Sequence, residues 1–175
     1  MYTKPYDLKN KTVKNYLTKI GEITVLMGFL ESWVDFWILE LIEASGNASE
    51  KQTIGKKITS GIMLYKQKLD LLLTLVQSKT PEKIIEFNKL YEKLKFLGVD
   101  RNSYIHSQWF IMYGNKKEHI KRDTHKLDLR HGLNRKDGSI KFAKSFSNEK
   151  LSDITRFINS IGKTHNDLTK FFINI

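Results

Sequence analysis

The chain has 175 residues, with 30 Lys and Arg against 19 Asp and Glu and no Cys. This length fits one domain with its own hydrophobic core, and the missing Cys excludes disulfides and thiolate metal sites and is compatible with a reducing, cytoplasmic compartment. The net charge of +11 favours polyanionic partners such as nucleic acid, although 25 of the basic residues are Lys, which also suits a plain solvated surface.

Ten Gly and two Pro are few for a turn-rich β protein and favour helices. Residues 1–9 read as a loose leader. Met1-Tyr2-Thr3-Lys4-Pro5 opens a Lys-rich polar stretch, so no signal peptide is expected. From about Asn10 a long helix is predicted, with Val13, Leu17, Ile20, Ile23, Met27, Leu30, Val34, Ile38 and Leu41 at three- and four-residue steps. From Val25 onward the other face is apolar as well, through Leu26, Phe29, Trp33, Phe36 and Leu39. A helix apolar all round is covered on all sides, and in a small domain a second subunit can supply that cover. Ile23 to Ile42 is not read as a membrane span. It carries Glu31, Asp35 and Glu40, and each charge near a bilayer centre costs about 2.5–3.5 kcal/mol on insertion scales. Gly46-Asn47 marks the helix end.

A second helix is predicted over about Thr53 to Gln77, with Ile54, Ile58, Ile62, Tyr65, Leu69, Leu72 and Val76 as its stripe. Thr80-Pro81 reads as an N-cap and first residue. A third helix carries Ile84, Phe87, Tyr91, Leu94 and Leu97. It ends at Gly98 or continues through His106, and the sequence leaves both open. In residues 113–146, Asp137-Gly138 signals a two-residue hairpin turn. That register sets Leu133 opposite Phe142 and Leu129 opposite Phe146, with Leu127 and Ile140 on the same face. Ser147 then caps a last helix with Leu151, Ile154, Ile158, Ile161, Leu168 and Phe172 facing inward. The expected architecture is all-α, a single domain over 1–175. It is a bundle of four or more helices with a short β-hairpin insertion at approximately 124–146, before the last helix.

The chemistry-bearing stretch is Arg101-Asn102-Ser103-Tyr104-Ile105-His106. Arg supplies a permanently charged planar fork for phosphate, and His moves a proton near neutral pH. On a helix Asn102 and His106 share a face, so the amide can orient the imidazole. Arg101 and His106 lie about 140° apart around the axis, so two copies about a two-fold axis bring both kinds of group to one phosphate. The competing reading is a solvent-exposed Arg and a His satisfied by a carbonyl.

Arg101-Asn102 followed by His106, with a long first helix, a second amphipathic helix, the motif at the third and a final helix, resembles the HEPN superfamily. That resemblance spans about residues 10–175, but only Arg101, Asn102 and His106 are specific to it. It implies a helical bundle and, in many members, a metal-independent endoribonuclease whose site forms between two protomers, as in toxins and antiphage effectors. His106 would then handle protons as a 2′-hydroxyl attacks the adjacent phosphodiester. Arg101 would stabilise the phosphate charge, and Asn102 would orient the ring or the phosphate. The implied partners are RNA, a second copy and an antitoxin or regulatory protein, with no cofactor and no membrane. The alternative is a non-catalytic HEPN-like module binding RNA, a nucleotide or a protein.

Further candidates surround the motif. Tyr104 and Trp109 are read either as base-stacking residues or as core. Glu31 is a candidate carboxylate to hold Arg101 in place; with Asp35 it is otherwise an ordinary edge residue. From Asn115 to Lys144 there are ten Lys and Arg against four Asp and Glu. This makes Lys116, Lys117, Lys121, Arg122 and Arg130 either an RNA-contacting ribbon or a solvated one. His119, His125 and His131 recur every six residues. With no Cys or tight carboxylate cluster beside them, no metal site is expected.

Overall fold

The computed structural model describes residues 9–43, 61, 63–113, 118–123, 146–148 and 150–174. Helix α1 is Lys11–Glu43, α2 is Tyr65–Lys79, α3 is Ile84–His106 and α4 is Leu151–Ile173; strands β1 Gln108–Tyr113, β2 Glu118–Asp123 and β3 Phe146–Asn148 lie between α3 and α4 in the chain. The chain divides into two compact units. One, the helical unit, holds residues 22–101 and 157–175; the other, the sheet unit, holds residues 1–21 and 102–156.

The helical unit is a four-helix bundle built on the predicted stripes. Helix α1 buries Ile23, Met27, Leu30, Val34 and Ile38; α2 buries Leu69, Leu72 and Val76; α3 buries Phe87, Leu90, Leu94 and Leu97; α4 buries Ile158, Ile161, Leu168 and Phe172. Aromatic packing adds to the aliphatic core: Trp37 stacks on Phe172 at 4.6 Å between centroids, and Phe87 meets Phe171 at 5.1 Å. No helix of the described residues is long and apolar enough to cross a membrane.

The helix ends correct the sequence reading in three places. Leu64 is extended, with φ −70° and ψ 152°, so α2 starts at Tyr65. There the Leu64 N–H donates to Gln67 Oε1 at 2.8 Å. The predicted start near Thr53, with Ile54 and Ile58, lies outside the described residues. Thr80 does not cap the following helix with its side chain. Its hydroxyl and its N–H both donate to the Val76 carbonyl, at 3.2 Å and 2.9 Å, closing α2 from behind, and Pro81–Lys83 forms a 3-10 turn into α3. Ser147 is not the cap of α4 but a residue of β3. The residue before α4 is Lys150, whose N–H donates to Asp153 Oδ2 at 3.3 Å. The start of α1 follows the sequence: Asn10 Oδ1 accepts from the Thr12 and Val13 N–H groups at 2.9 Å and 3.3 Å.

Helix α3 settles the open choice by running past Gly98 to His106. Gly98 has a packing reason to be there. A Cβ at that position would meet the Tyr65 ring at 2.8 Å, and the Tyr65 hydroxyl donates to the Leu94 carbonyl at 3.2 Å. The bare backbone lets the tyrosine of α2 lie against α3.

The sheet unit holds an antiparallel sheet in the order β1-β2-β3. Trp109 pairs with Arg122, and Arg122 with Ser147. Strand β1 is an addition to the expected elements, although Trp109-Phe110-Ile111-Met112-Tyr113 followed by Gly114-Asn115 is a strand-then-turn signal in the sequence. The hairpin expected at Asp137-Gly138 lies outside the described residues. At its near end, Phe146 pairs with Asp123 of β2.

Candidate functional site

Arg101, Asn102 and His106 occupy the last two turns of α3. Asn102 and His106 are exposed and Arg101 is half-buried. Because α3 stays helical through His106, the angular argument holds: the amide and the imidazole share a face, and the Arg101 side chain leaves the axis about 140° away from His106.

The end of α3 is finished by side chains that follow it. The Ser107 hydroxyl donates to the Ser103 carbonyl, and the Trp109 indole N–H donates to the Tyr104 carbonyl at 3.1 Å. These are two of the carbonyls that a helix C-terminus leaves without an intrahelical donor. The chain therefore passes from helix to β1 with both of these acceptors satisfied, and His106 sits at the junction.

Arg122 reaches this junction from β2. Its Nη1 donates to Ser103 Oγ at 3.2 Å, and its guanidinium carbon lies 4.3 Å from the centre of the Tyr104 ring and 6.0 Å from that of Trp109. Tyr104 and Trp109 lie nearly parallel at 6.4 Å, and Tyr16 meets Trp109 edge-on at 6.4 Å. For Tyr104 the core reading is the one that holds, and Arg122 takes a role not expected of it. Tyr104 is 8% exposed and serves the core, so it has no open face for a base. Arg122 is half-buried against the motif helix rather than extended from a ribbon. Trp109 remains half-exposed. Lys116, Lys117 and Arg130 lie outside the described residues; Lys121 is placed in β2 by its pairing with Phe110.

Glu31 has a partner on α2. Its Oε1 accepts from Lys68 Nζ at 2.8 Å, and Asp35 Oδ2 accepts from the same ammonium at 2.9 Å. The Lys68 side chain is 4% exposed. A buried ammonium without counter-charge is untenable, and Glu31 and Asp35 together supply that charge to Lys68. Burial would lower the Lys68 pKa, but the hydrogen bonds to Glu31 and Asp35 outweigh it and raise the value. Burial pushes the Asp35 carboxyl up, with Lys68 opposing. The charge of Arg101 also reaches Tyr65. Burial and the Glu31 charge raise the Tyr65 phenol, and the Arg101 guanidinium acts against both.

Lys68 is a residue that the sequence reading misses, although a signal is there. Lys68 interrupts the stripe Tyr65, Leu69, Leu72 of α2, and Glu31 and Asp35 interrupt the apolar run of α1 four residues apart. Opposite charges that face the interior on two helices have to meet.

Among the described residues no group of three or more His, Asp or Glu is placed to hold a metal ion. No family model matches the sequence, and neither a curated protein nor a solved structure matches it.

Proposed function

We propose that the chain is a HEPN-type endoribonuclease that works without a metal ion, with Arg101, Asn102 and His106 as its machinery. The observation that carries this reading is the placement of Asn102 and His106, both exposed and on one face at the end of α3, directly after Arg101. His106 takes the proton of a ribose 2′-hydroxyl, the oxygen attacks the adjacent phosphorus, and the bond to the 5′-oxygen breaks; that oxygen leaves as a hydroxyl with a proton returned by an imidazolium, and a 2′,3′-cyclic phosphate remains. The Arg101 fork stabilises the charge on the phosphoryl oxygens, and Asn102 orients the imidazole or the phosphate. The positive charge of the chain supports an RNA substrate.

A second copy completes the site in this reading. Arg101 and His106 point apart on one helix, and apolar side chains are exposed on both elements concerned: Val25, Phe29 and Phe36 on α1, and Phe96 and Val99 on α3. A toxin or antiphage effector in the cytoplasm, restrained by an antitoxin or regulatory protein, is the setting that suits such an activity.

The test is cleavage of single-stranded RNA in EDTA by wild type, His106→Ala, Arg101→Lys and Asn102→Ala. The expected results are cleavage of RNA but not DNA, and a loss of about 10²–10⁴-fold in His106→Ala with folding intact. Arg101→Lys also fails, because a point charge does not replace the fork, and Asn102→Ala is milder. Full activity in His106→Ala excludes the mechanism. The half-buried position of Arg101 favours a second reading, in which Arg101 serves the fold of a non-catalytic HEPN-like module that binds RNA, a nucleotide or a protein. RNA bound but uncut by wild type selects that reading.

A further inference from the structure

The register of β1 against β2 sets Trp109 opposite Arg122. Strand β1 starts two residues after His106. The tie that Arg122 makes therefore spans the point where the motif helix ends. Its guanidinium holds Ser103 through Oγ at 3.2 Å and lies over the Tyr104 ring at 4.3 Å. Ser103 precedes His106 by three residues, which makes the two neighbours on one helix surface. Trp109 adds a second brace through its bond to the Tyr104 carbonyl. Without such ties the last turn of a helix frays, since its carbonyls lack intrahelical donors.

We propose that Arg122 is a positioning residue for His106: through Ser103 and the Tyr104 ring it fixes the last turn of α3, and with it the direction of the imidazole. The inference rests on the endoribonuclease reading for its catalytic consequence, but its structural content stands apart from it. A planar guanidinium suits this place because it stacks on the phenol ring and donates in its own plane to the serine hydroxyl at once. A Lys can keep the charge and reach the hydroxyl, yet it cannot stack in that way.

The experiment compares the full chain as wild type, Arg122→Ala and Arg122→Lys by amide hydrogen exchange and by steady-state RNA cleavage. Arg122→Ala is expected to speed exchange over Ser103 to Trp109 and to leave Phe87 to Leu97 unchanged. Its kcat is expected to fall by up to about 100-fold, the scale of a small misplacement of a reacting group, with KM unchanged. Arg122→Lys is expected between wild type and Arg122→Ala on both measures. Unchanged exchange over Ser103 to Trp109 overturns the proposal. So does a rise in KM at constant kcat, which makes Arg122 a substrate contact instead. A wild type that cleaves no RNA ends the endoribonuclease reading, and the exchange comparison then upholds or overturns the role of Arg122 by itself.

Discussion

The helical unit and the sheet unit use charge in opposite ways. In the helical unit Glu31 and Asp35 share the Lys68 ammonium between α1 and α2, and the ammonium is withdrawn from solvent. In the sheet unit His106 and Asn102 face solvent, and Arg122, drawn inward, is spread over an aromatic ring and a serine. Charges that pair in a bundle core help to specify which helices meet. Polar groups at an exposed helix end can act on a ligand. Variants that separate the ion pairs of the bundle from the polar groups at the end of α3 test the difference.

The largest stability effect is expected from Lys68→Met. It leaves Glu31 and Asp35 without their shared cation, at a cost of about 3–5 kcal/mol, the scale for breaking a buried ion pair from one side. Urea unfolding measures this, while RNA cleavage per folded molecule is expected to stay at the wild-type level; a loss of cleavage in the folded variant breaks the comparison. The pH dependence has a definite sign. The Lys68 pKa is raised above its ordinary 10.5 in the folded chain, so its contribution is complete below 10.5 and is lost as the pH climbs through the folded value. Wild type is expected to lose stability in that alkaline range more steeply than Lys68→Met does.

Gly98→Ala comes next. Ala favours a helix over Gly by roughly 1 kcal/mol, but the new Cβ would stand 2.8 Å from the Tyr65 ring, and overpacking costs about 1–3 kcal/mol. A net loss of up to about 2 kcal/mol in urea unfolding is expected, and it is expected to disappear when Tyr65→Leu is added. A Gly98→Ala chain more stable than wild type would show that the tyrosine moves at no cost. The smallest effect belongs to the sheet unit. Asn10→Ala removes the acceptor for two N–H groups at the start of α1, and about 1 kcal/mol of stability is expected to go with it, with cleavage unchanged.

Most of the bundle is legible in the sequence because its signal is local and periodic. Of the inward residues named for the last helix, Ile154, Ile158, Ile161, Leu168 and Phe172 are all buried. Arg101, Asn102 and His106 are legible as a motif, and so is the sharing of one face by two of them, because that follows from helical spacing alone. What is not legible depends on residues far apart in the chain. Lys68 lies 37 positions from Glu31 and Arg122 lies 19 from Ser103; a charge that interrupts an apolar stripe signals that it needs a partner, but periodicity does not say which one. Thr80 and Ser147 mislead for a different reason. Each is a good N-cap by type, but a hydroxyl closes a preceding helix, or sits in a strand, as readily as it opens the next helix.

The unbroken course of α3 through His106 has a kinetic corollary. A single chain that aims a guanidinium and an imidazole about 140° apart presents one or the other to a given phosphodiester, so under the endoribonuclease proposal the specific activity falls on dilution as paired chains separate. Two inactive preparations, Arg101→Ala and His106→Ala, then complement each other on mixing, since each supplies the group the other has lost.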